Sequence, residues 1–268
     1  MQVLVDGLAG GHIDPLDRGL HYGDGLFETI AIAGGRPRFL DWHLERLSEG
    51  ARRLGMAAPA AAILRAEIAE ASLGSQCVVK VVLTRGSGER GYRAPSNPAP
   101  RRIVFGFNGP LIAAEAAVTG VRVGWCRTRL GRNPVLAGLK HLNRLEQVLA
   151  RSEWDDGAMD EGLMQDEHGL VISATQSNLF ARLDGRWVTP RLDQCGVAGV
   201  MRRAFRHWQA GRGAAVDERD LGMADVERAS ALMLTNALIG AWPVRELAGR
   251  HLEVDPDVPA FNAWLGEA

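Results

Sequence analysis

The apolar stretches of this 268-residue chain are short, and Gly, Pro or Asp signals limit them. The runs Gln2 to Val5, Leu26 to Ala33, Cys77 to Thr84 and Arg102 to Phe107 have the length and β-branched content of strands. Between them, DWHLERLSEGARRLGM places Trp42, Leu44, Leu47 and Leu54 at roughly helical spacing, and PAAAILRAEIAEASLG gives a second helix that Gly74 ends. Short strands interleaved with short helices must bury their apolar faces by layering helix on sheet, so an α/β (α+β) fold in two domains is expected. No window reaches the apolar length of a membrane span.

The first α+β unit is expected to cover residues 1–109. Gly109 and Pro110 break the pattern there, and the small, bland residues 110–120 read as a linker. The second unit, 121–268, should begin with a strand at Val121 to Cys126 and a helix from Leu142 to Trp154. Strands are expected near 162–164, 170–172, 177–182 and 186–188, followed by a helix from about Val197, a strand at Ala231 to Thr235 and a final helix at Ala260 to Leu265. With 46% hydrophobic residues, a chain of this length buries ordinary cores without a metal or a disulfide.

A formal net charge of -1 without blocks of like charge gives no electrostatic footprint for nucleic acid or an anionic membrane. Cys77, Cys126 and Cys195 are scattered without a CxxC spacing, which argues against a disulfide framework or zinc site and for a reducing cytoplasm. The opening MQVLVDGLAGGHIDPLDRG has no basic run leading into an apolar stretch, so neither secretion nor insertion is expected. Of the 31 basic residues only Lys80 and Lys140 are lysines. A surface position needing only charge would have tolerated arginine, which cannot form a Schiff base, so each lysine needs a reason.

In LAGLKHLNRLEQVLARSEW, Lys140 precedes an amphipathic helix on which Leu142, Leu145 and Leu149 can face a core. The helix macrodipole disfavours a cation at that end, which makes Lys140 a candidate nucleophile with a neutral or covalently used amine. Lys80, in CVVKVVLTR, reads as an outward-facing or snorkelling side chain. In CGVAGVMRRAFRHW, Gly196 precedes a helix whose first turn would offer the N–H groups of Val197 and Ala198 to an anion. Thr235 and Asn236 close an apolar strand, where a hydroxyl and an amide could finish a phosphate shell; the pair is equally an ordinary turn signal.

The runs DRGLHYGDGLFETI, HLERL, RGSGERGYR, GLKHLNRLEQVLA, SNLF, TPRLDQCGVAGVMRR and LTNALIGAWPV follow one another along the chain. Their order and spacing resemble the fold-type IV, branched-chain-aminotransferase-like pyridoxal-phosphate enzymes over nearly the whole length. The wording around Lys140 and TNALIGAWPV resembles the aminodeoxychorismate lyases of that group more than its aminotransferases.

The resemblance implies pyridoxal 5'-phosphate at the domain interface, with Lys140 as its covalent carrier and as acid and base. It implies that Arg46 clamps the phosphate, that Val197, Ala198, Thr235 and Asn236 complete the phosphate cup, and that Thr29 and Tyr22 lie near cofactor or substrate. A dicarboxylate substrate would need further cations, for which Arg85, Arg90 and Arg93 are candidates; an exposed basic loop is the equal alternative. It also implies a homodimer acting on a small molecule. At Ser173 the family usually carries a glutamate for the pyridine nitrogen, a departure that leaves open whether Ser173 or another acid serves there. A transaminase of the same fold for D-amino or branched-chain amino acids is the alternative activity, and a non-catalytic binding protein a more distant one.

Overall fold

The computed structural model describes residues 1–108, 114–155 and 157–267, and the first part of the expected 110–120 linker lies outside them. The chain divides into two compact units, Met1–Leu111 with Leu139–Asn143, and Ile112–Gly138 with Arg144–Ala268. The short segment around Lys140 thus belongs with the first unit, although the second unit supplies the chain on both sides of it.

The first unit comprises β1 (Gln2–Val5), β2 (Leu8–Ala9), α1 (Arg18–Tyr22), β3 (Gly25–Ala33), β4 (Arg36–Pro37), α2 (Leu40–Arg53), α3 (Ala61–Ala71), β5 (Gln76–Thr84) and β6 (Arg101–Asn108). Its sheet runs β2-β1-β6-β5-β3-β4, antiparallel throughout. Alternation along β3 sends Leu26, Glu28, Ile30 and Ile32 into the core, where α2 packs on β3. Helix α3 covers β6, β1 and β5. The other face carries Phe27, Thr29, Lys80 and Phe105, the last three aligned across β3, β5 and β6.

The second unit comprises α4 (Ala114–Thr119), β7 (Val121–Trp125), α5 (Leu145–Arg151), β8 (Glu161–Gln165), β9 (Val171–Ala174), β10 (Asn178–Leu183), β11 (Arg186–Pro190), α6 (Val200–Gly211), β12 (Asp217–Arg219), α7 (Met223–Glu227), β13 (Ala231–Asn236), β14 (Gly240–Leu247), β15 (Arg250–His251) and α8 (Asp257–Glu267). Its mixed sheet runs β12-β11-β10-β13-β14-β7-β8-β9, with β15 added to β14. Helix α6 packs on β13 and α8 on β14, and Phe205 gathers Phe180, Trp187, Trp208 and Phe261 at ring distances of 4.8 to 5.7 Å. The mixed α/β architecture is the expected one.

Two local expectations are corrected. The helix after Lys140 begins at Leu145, so Lys140 lies outside the first turn, where the macrodipole acts, and the dipole argument for its chemistry does not hold. Leu145 and Leu149 are also exposed rather than core-facing. All three cysteines are buried and free; burial pushes the Cys126 thiol up to about 12 and the Cys195 thiol up to about 11. Among the described residues no helix is long and apolar enough to cross a membrane.

Candidate active site

Lys140 is fixed by backbone pairing with the start of β3. Phe27 N donates to Lys140 O at 2.9 Å, Leu142 N to Gly25 O at 3.0 Å, and the Asn143 side-chain amide to Gly23 O at 3.1 Å. Gly25 suits this place because a Cβ there would press on the Leu83 carbonyl. The pairing lays the half-buried Lys140 beside Phe27, its Nζ 4.2 Å from the ring centroid. Lys80 Nζ approaches the same ring at 5.3 Å, and Thr29 stands beside Lys80 in the register. The two lysines of the chain therefore address one aromatic ring.

On the buried face of β3, Glu28 receives Arg46 Nε at 2.7 Å and Arg46 Nη2 at 2.5 Å, with His43 Nδ1 2.6 Å away. Burial alone would raise the Glu28 carboxyl, but Arg46 and His43 outweigh it and hold the group at about 2. Arg46 is therefore oriented by a bidentate contact with a buried carboxylate.

In the second unit, Gly138 N donates to Gly196 O at 3.0 Å and Ala198 N to Gly138 O at 3.0 Å, which fixes the loop before α6 to the residue two before Lys140. Asn178 Nδ2 donates to Val197 O at 2.9 Å, and Asn178 is the register partner of Thr235 on β13. Gly199 is required beside it, since a Cβ there would run into the Asn178 side chain. The loop, Asn178 and Thr235 are thus brought together. The Thr235 hydroxyl is buried and has no hydrogen-bond partner among the described residues. A buried polar atom left unmatched by protein points to a ligand donor or acceptor.

The expected cup is corrected in three details. Helix α6 starts at Val200, so Val197 and Ala198 lie ahead of its first turn, and the Ala198 amide is spent on Gly138. The Asn236 side chain caps its own turn, accepting from Leu238 N and Ile239 N at 3.0 Å and donating to Ser177 Oγ at 3.2 Å. That turn completes itself, as Asn turns do.

Arg85 is buried and bonds to Asp24 Oδ2 at 2.7 Å, Leu54 O at 2.8 Å and Gly55 O at 3.2 Å, which makes it part of the loop's frame rather than a ligand cation. Arg90 and Arg93 are exposed. Arg18, absent from the sequence reading, gathers Asp24 and the carbonyls of Gly91 and Tyr92, and lies over Tyr22. Tyr22 in turn packs on Tyr92 and accepts from Gly91 N at 3.4 Å, so it secures the glycine-rich loop.

Ser173 is buried on β9 opposite Met164, and alternation puts Glu161 on the other face of β8, with Leu163. Burial raises the Glu161 carboxyl despite its contacts with the Thr175 hydroxyl and the amides of Gly162, Gln176 and Thr175. Asp166, the other buried acid nearby, is held by Arg132 at 3.2 Å and by the amides of His168 and Leu170. Both acids are engaged elsewhere.

The amino-transferase class IV family model matches residues 25–247, which include Lys140, Arg46, Ser173, Thr235 and Asn236. The chain belongs to the amino-transferase class IV family. A relative, the aminodeoxychorismate lyase of Vibrio harveyi, is 33% identical over 94% of this chain and 93% of its own length. The solved structure of 4-amino-4-deoxychorismate lyase from Pseudomonas aeruginosa shares 44% identity, with a TM-score of 0.93 over 99% of this chain and 98% of the other. The branched-chain amino acid aminotransferase of Escherichia coli has the same fold, at a TM-score of 0.85 and 19% identity over 99% and 93% of the two chains.

Proposed function

We propose that this chain is a pyridoxal-phosphate-dependent lyase that converts 4-amino-4-deoxychorismate to p-aminobenzoate and pyruvate. The observation that carries the reading is the 44% identity to the Pseudomonas lyase over nearly both full chains. The residues fit the cofactor: an unmatched buried hydroxyl at Thr235 faces the loop before α6, and a primary amine, Lys140, follows Gly138 of that cluster by two residues.

When bound, pyridoxal phosphate supplies an electron sink for the carbon that bears the substrate amine. Lys140 would hold the cofactor through its amine, and Lys140 Nζ would take the proton from the carbon that bears the substrate amine. The same amine returns a proton to the leaving enolpyruvyl group, which departs as pyruvate. Loss of the ring proton and the ether substituent leaves an aromatic ring, so atoms balance without a further reactant. Thr235 Oγ1 and the Val197 amide would hold the phosphate on a loop that Ala198 ties to Gly138, Asn236 would shape the turn beside it, and Arg46, oriented by Glu28, would contribute a guanidinium. Thr29 and Phe27 line the reacting side. Ser173 serves the pyridine nitrogen, and Tyr22 keeps the loop with Arg90 and Arg93 in place for the ether carboxylate.

A homodimer in the cytoplasm is part of the proposal. An apolar hollow of about 460 Å³, bordered by Ile13, Leu20, Val82, Ile103 and Leu142 and close in sequence to the exposed Leu16, supports a second copy of the chain as its cover. The deciding experiment is incubation with aminodeoxychorismate generated by a separate synthase. Equimolar p-aminobenzoate and pyruvate are expected. Release of a ketoacid from alanine or a branched-chain amino acid, without p-aminobenzoate, would identify a transaminase instead.

A further inference from the structure

The turn from β13 into β14 begins at Thr235 and Asn236, and α8 lies against its far side. The ladder of β14 with β7 starts only at Val244, so among the described residues no strand meets Ala241 on that side. Asn262 of α8 stands in for one: its Oδ1 accepts from Ala241 N at 3.0 Å, and its Nδ2 donates to Ala241 O at 2.8 Å. A side-chain amide has the donor and acceptor of a peptide group, so a single residue matches both main-chain atoms. Gly240 permits the approach, since a Cβ there would meet Asn262 Oδ1 at 2.9 Å and Leu265 Cδ1 at 3.1 Å. Its φ of 66° is also one that side chains disfavour. Ala241 is the register partner of Thr235, and Gly240 that of Asn236.

The same helix reaches the other half of the cup. Phe261 is fully buried against Phe205 and Trp208 of α6, at ring distances of 5.1 Å and 5.6 Å, and Asp257 Oδ2 accepts from Gln209 Nε2 of α6 at 2.8 Å. Helix α6 follows directly on the loop of Val197 and Ala198. One helix thus braces both the strand turn and the helix behind the loop. Burial alone is served by the apolar Val258, Phe261 and Leu265, whereas an amide matched in both directions fixes the register of helix against turn. We infer that Asn262 is a positioning residue for the phosphate cup: through Ala241 it sets the turn that presents Thr235 Oγ1, and docking of α8 and occupancy of the cup by phosphate favour each other. The inference rests on the cofactor site of the proposed function. By linkage the coupling is reciprocal, so phosphate in the cup tightens α8 by the factor by which docked α8 tightens the phosphate.

The test uses the full chain and two probes, pyridoxal phosphate and pyridoxal, which lacks the phosphate, each titrated into cofactor-free wild type and Asn262→Ala. The substitution should weaken pyridoxal phosphate at least about fivefold, the lower end of ordinary coupling between linked sites, and leave pyridoxal within about twofold. A second measurement needs no variant: amide hydrogen exchange of the wild type. Pyridoxal phosphate should slow exchange in residues 237–243 and in α8, by about the same factor, and pyridoxal should not. Equal weakening of both probes by Asn262→Ala would reduce Asn262 to a support of the core and overturn the inference. Unchanged affinity for pyridoxal phosphate, or exchange in α8 that ignores the phosphate, would overturn it too. In those three cases formation of p-aminobenzoate by the wild type would leave the proposed function standing. If the wild type does not prefer pyridoxal phosphate to pyridoxal, the phosphate cup itself fails and the inference falls with it. The expected binding and exchange results without p-aminobenzoate formation would support the coupling and refute the lyase assignment alone.

Discussion

The two faces of β3 treat charge in opposite ways. On the buried face, Glu28 is enclosed with Arg46 and His43, each contact 2.7 Å or shorter. On the open face, one residue away along the same strand, Phe27 and Thr29 lie beside two lysines without a protein carboxylate against Lys80. A carboxylate paired inside the core fixes structure, whereas a cation without a carboxylate partner leaves an interaction for something that arrives. Strand alternation makes the separation possible, because consecutive residues serve opposite environments.

The largest expected effect comes from removing the open face's reactive amine. Lys140→Ala should abolish p-aminobenzoate formation and covalent retention of the cofactor, since alanine supplies neither the primary amine nor the proton shuttle. Lys80→Arg should keep covalent retention intact. Borohydride reduction followed by peptide mapping checks the assignment, and cofactor found on Lys80 would refute it.

Breaking the buried face should cost stability instead. Glu28→Gln leaves the charge of Arg46 without its carboxylate, and loss of one partner in a buried pair costs about 3–5 kcal/mol, read as a fall in Tm. The pH dependence has a definite sign. The Glu28 carboxyl is held at about 2 in the folded chain, below its unfolded value of about 4.3, so its contribution is complete above the unfolded value. It is lost as pH falls from about 4.3 through about 2, and the Glu28→Gln protein should lack that part of the acid transition.

The difference between the faces was only half legible in the sequence. Alternation is local, so β1, β3, β5 and β6 and the helices α2 and α3 could be read from residue order. The partners of charged residues are not local: Arg85 finds Asp24 across 61 positions, and Glu28 finds Arg46 across 18. The loop arginines therefore stay divided between ligand cations and an exposed basic loop, and Lys80 reads as an outward-facing or snorkelling side chain. Strand β14 escaped notice because Pro243 argues against a central strand. The structure accommodates it by starting the parallel ladder with β7 at Val244, one residue later. The helix after Lys140 was overextended because Leu142, Leu145 and Leu149 keep helical spacing although two of them face outward. The reason for proposing Lys140 that survives the loss of the dipole argument is chemical: lysine is kept where arginine is the rule.

The second unit offers a comparison of the same kind, between acids that are engaged and a serine that stands where an acid is usual. Glu161 closes the Thr175–Ser177 turn and Asp166 holds Arg132, so neither takes the place of a carboxylate at Ser173. A serine hydroxyl adds no negative charge to hold a proton on a pyridine nitrogen. Ser173→Glu should therefore raise amino transfer from alanine relative to lyase turnover by about tenfold, the equivalent of one pKa unit. Pyridoxamine phosphate measured against p-aminobenzoate gives the ratio, and an unchanged ratio would remove Ser173 from any role in choosing the reaction.

The smallest effect tests the orphan hydroxyl of Thr235. If that group belonged to the fold, replacing it would destabilise the protein whether or not cofactor is present. Its lack of a protein partner predicts a split instead. Thr235→Val keeps the shape of the side chain and exchanges an unmatched buried hydroxyl for a methyl, so the cofactor-free protein should unfold at the same temperature or slightly higher. Affinity for pyridoxal phosphate should fall about two- to tenfold, the worth of one net hydrogen bond at about 0.5–1.5 kcal/mol. Thermal unfolding of the cofactor-free protein and a cofactor titration read the two quantities separately. A fall in both would return Thr235 to the core of the second unit, and unchanged affinity would take it out of the phosphate cup.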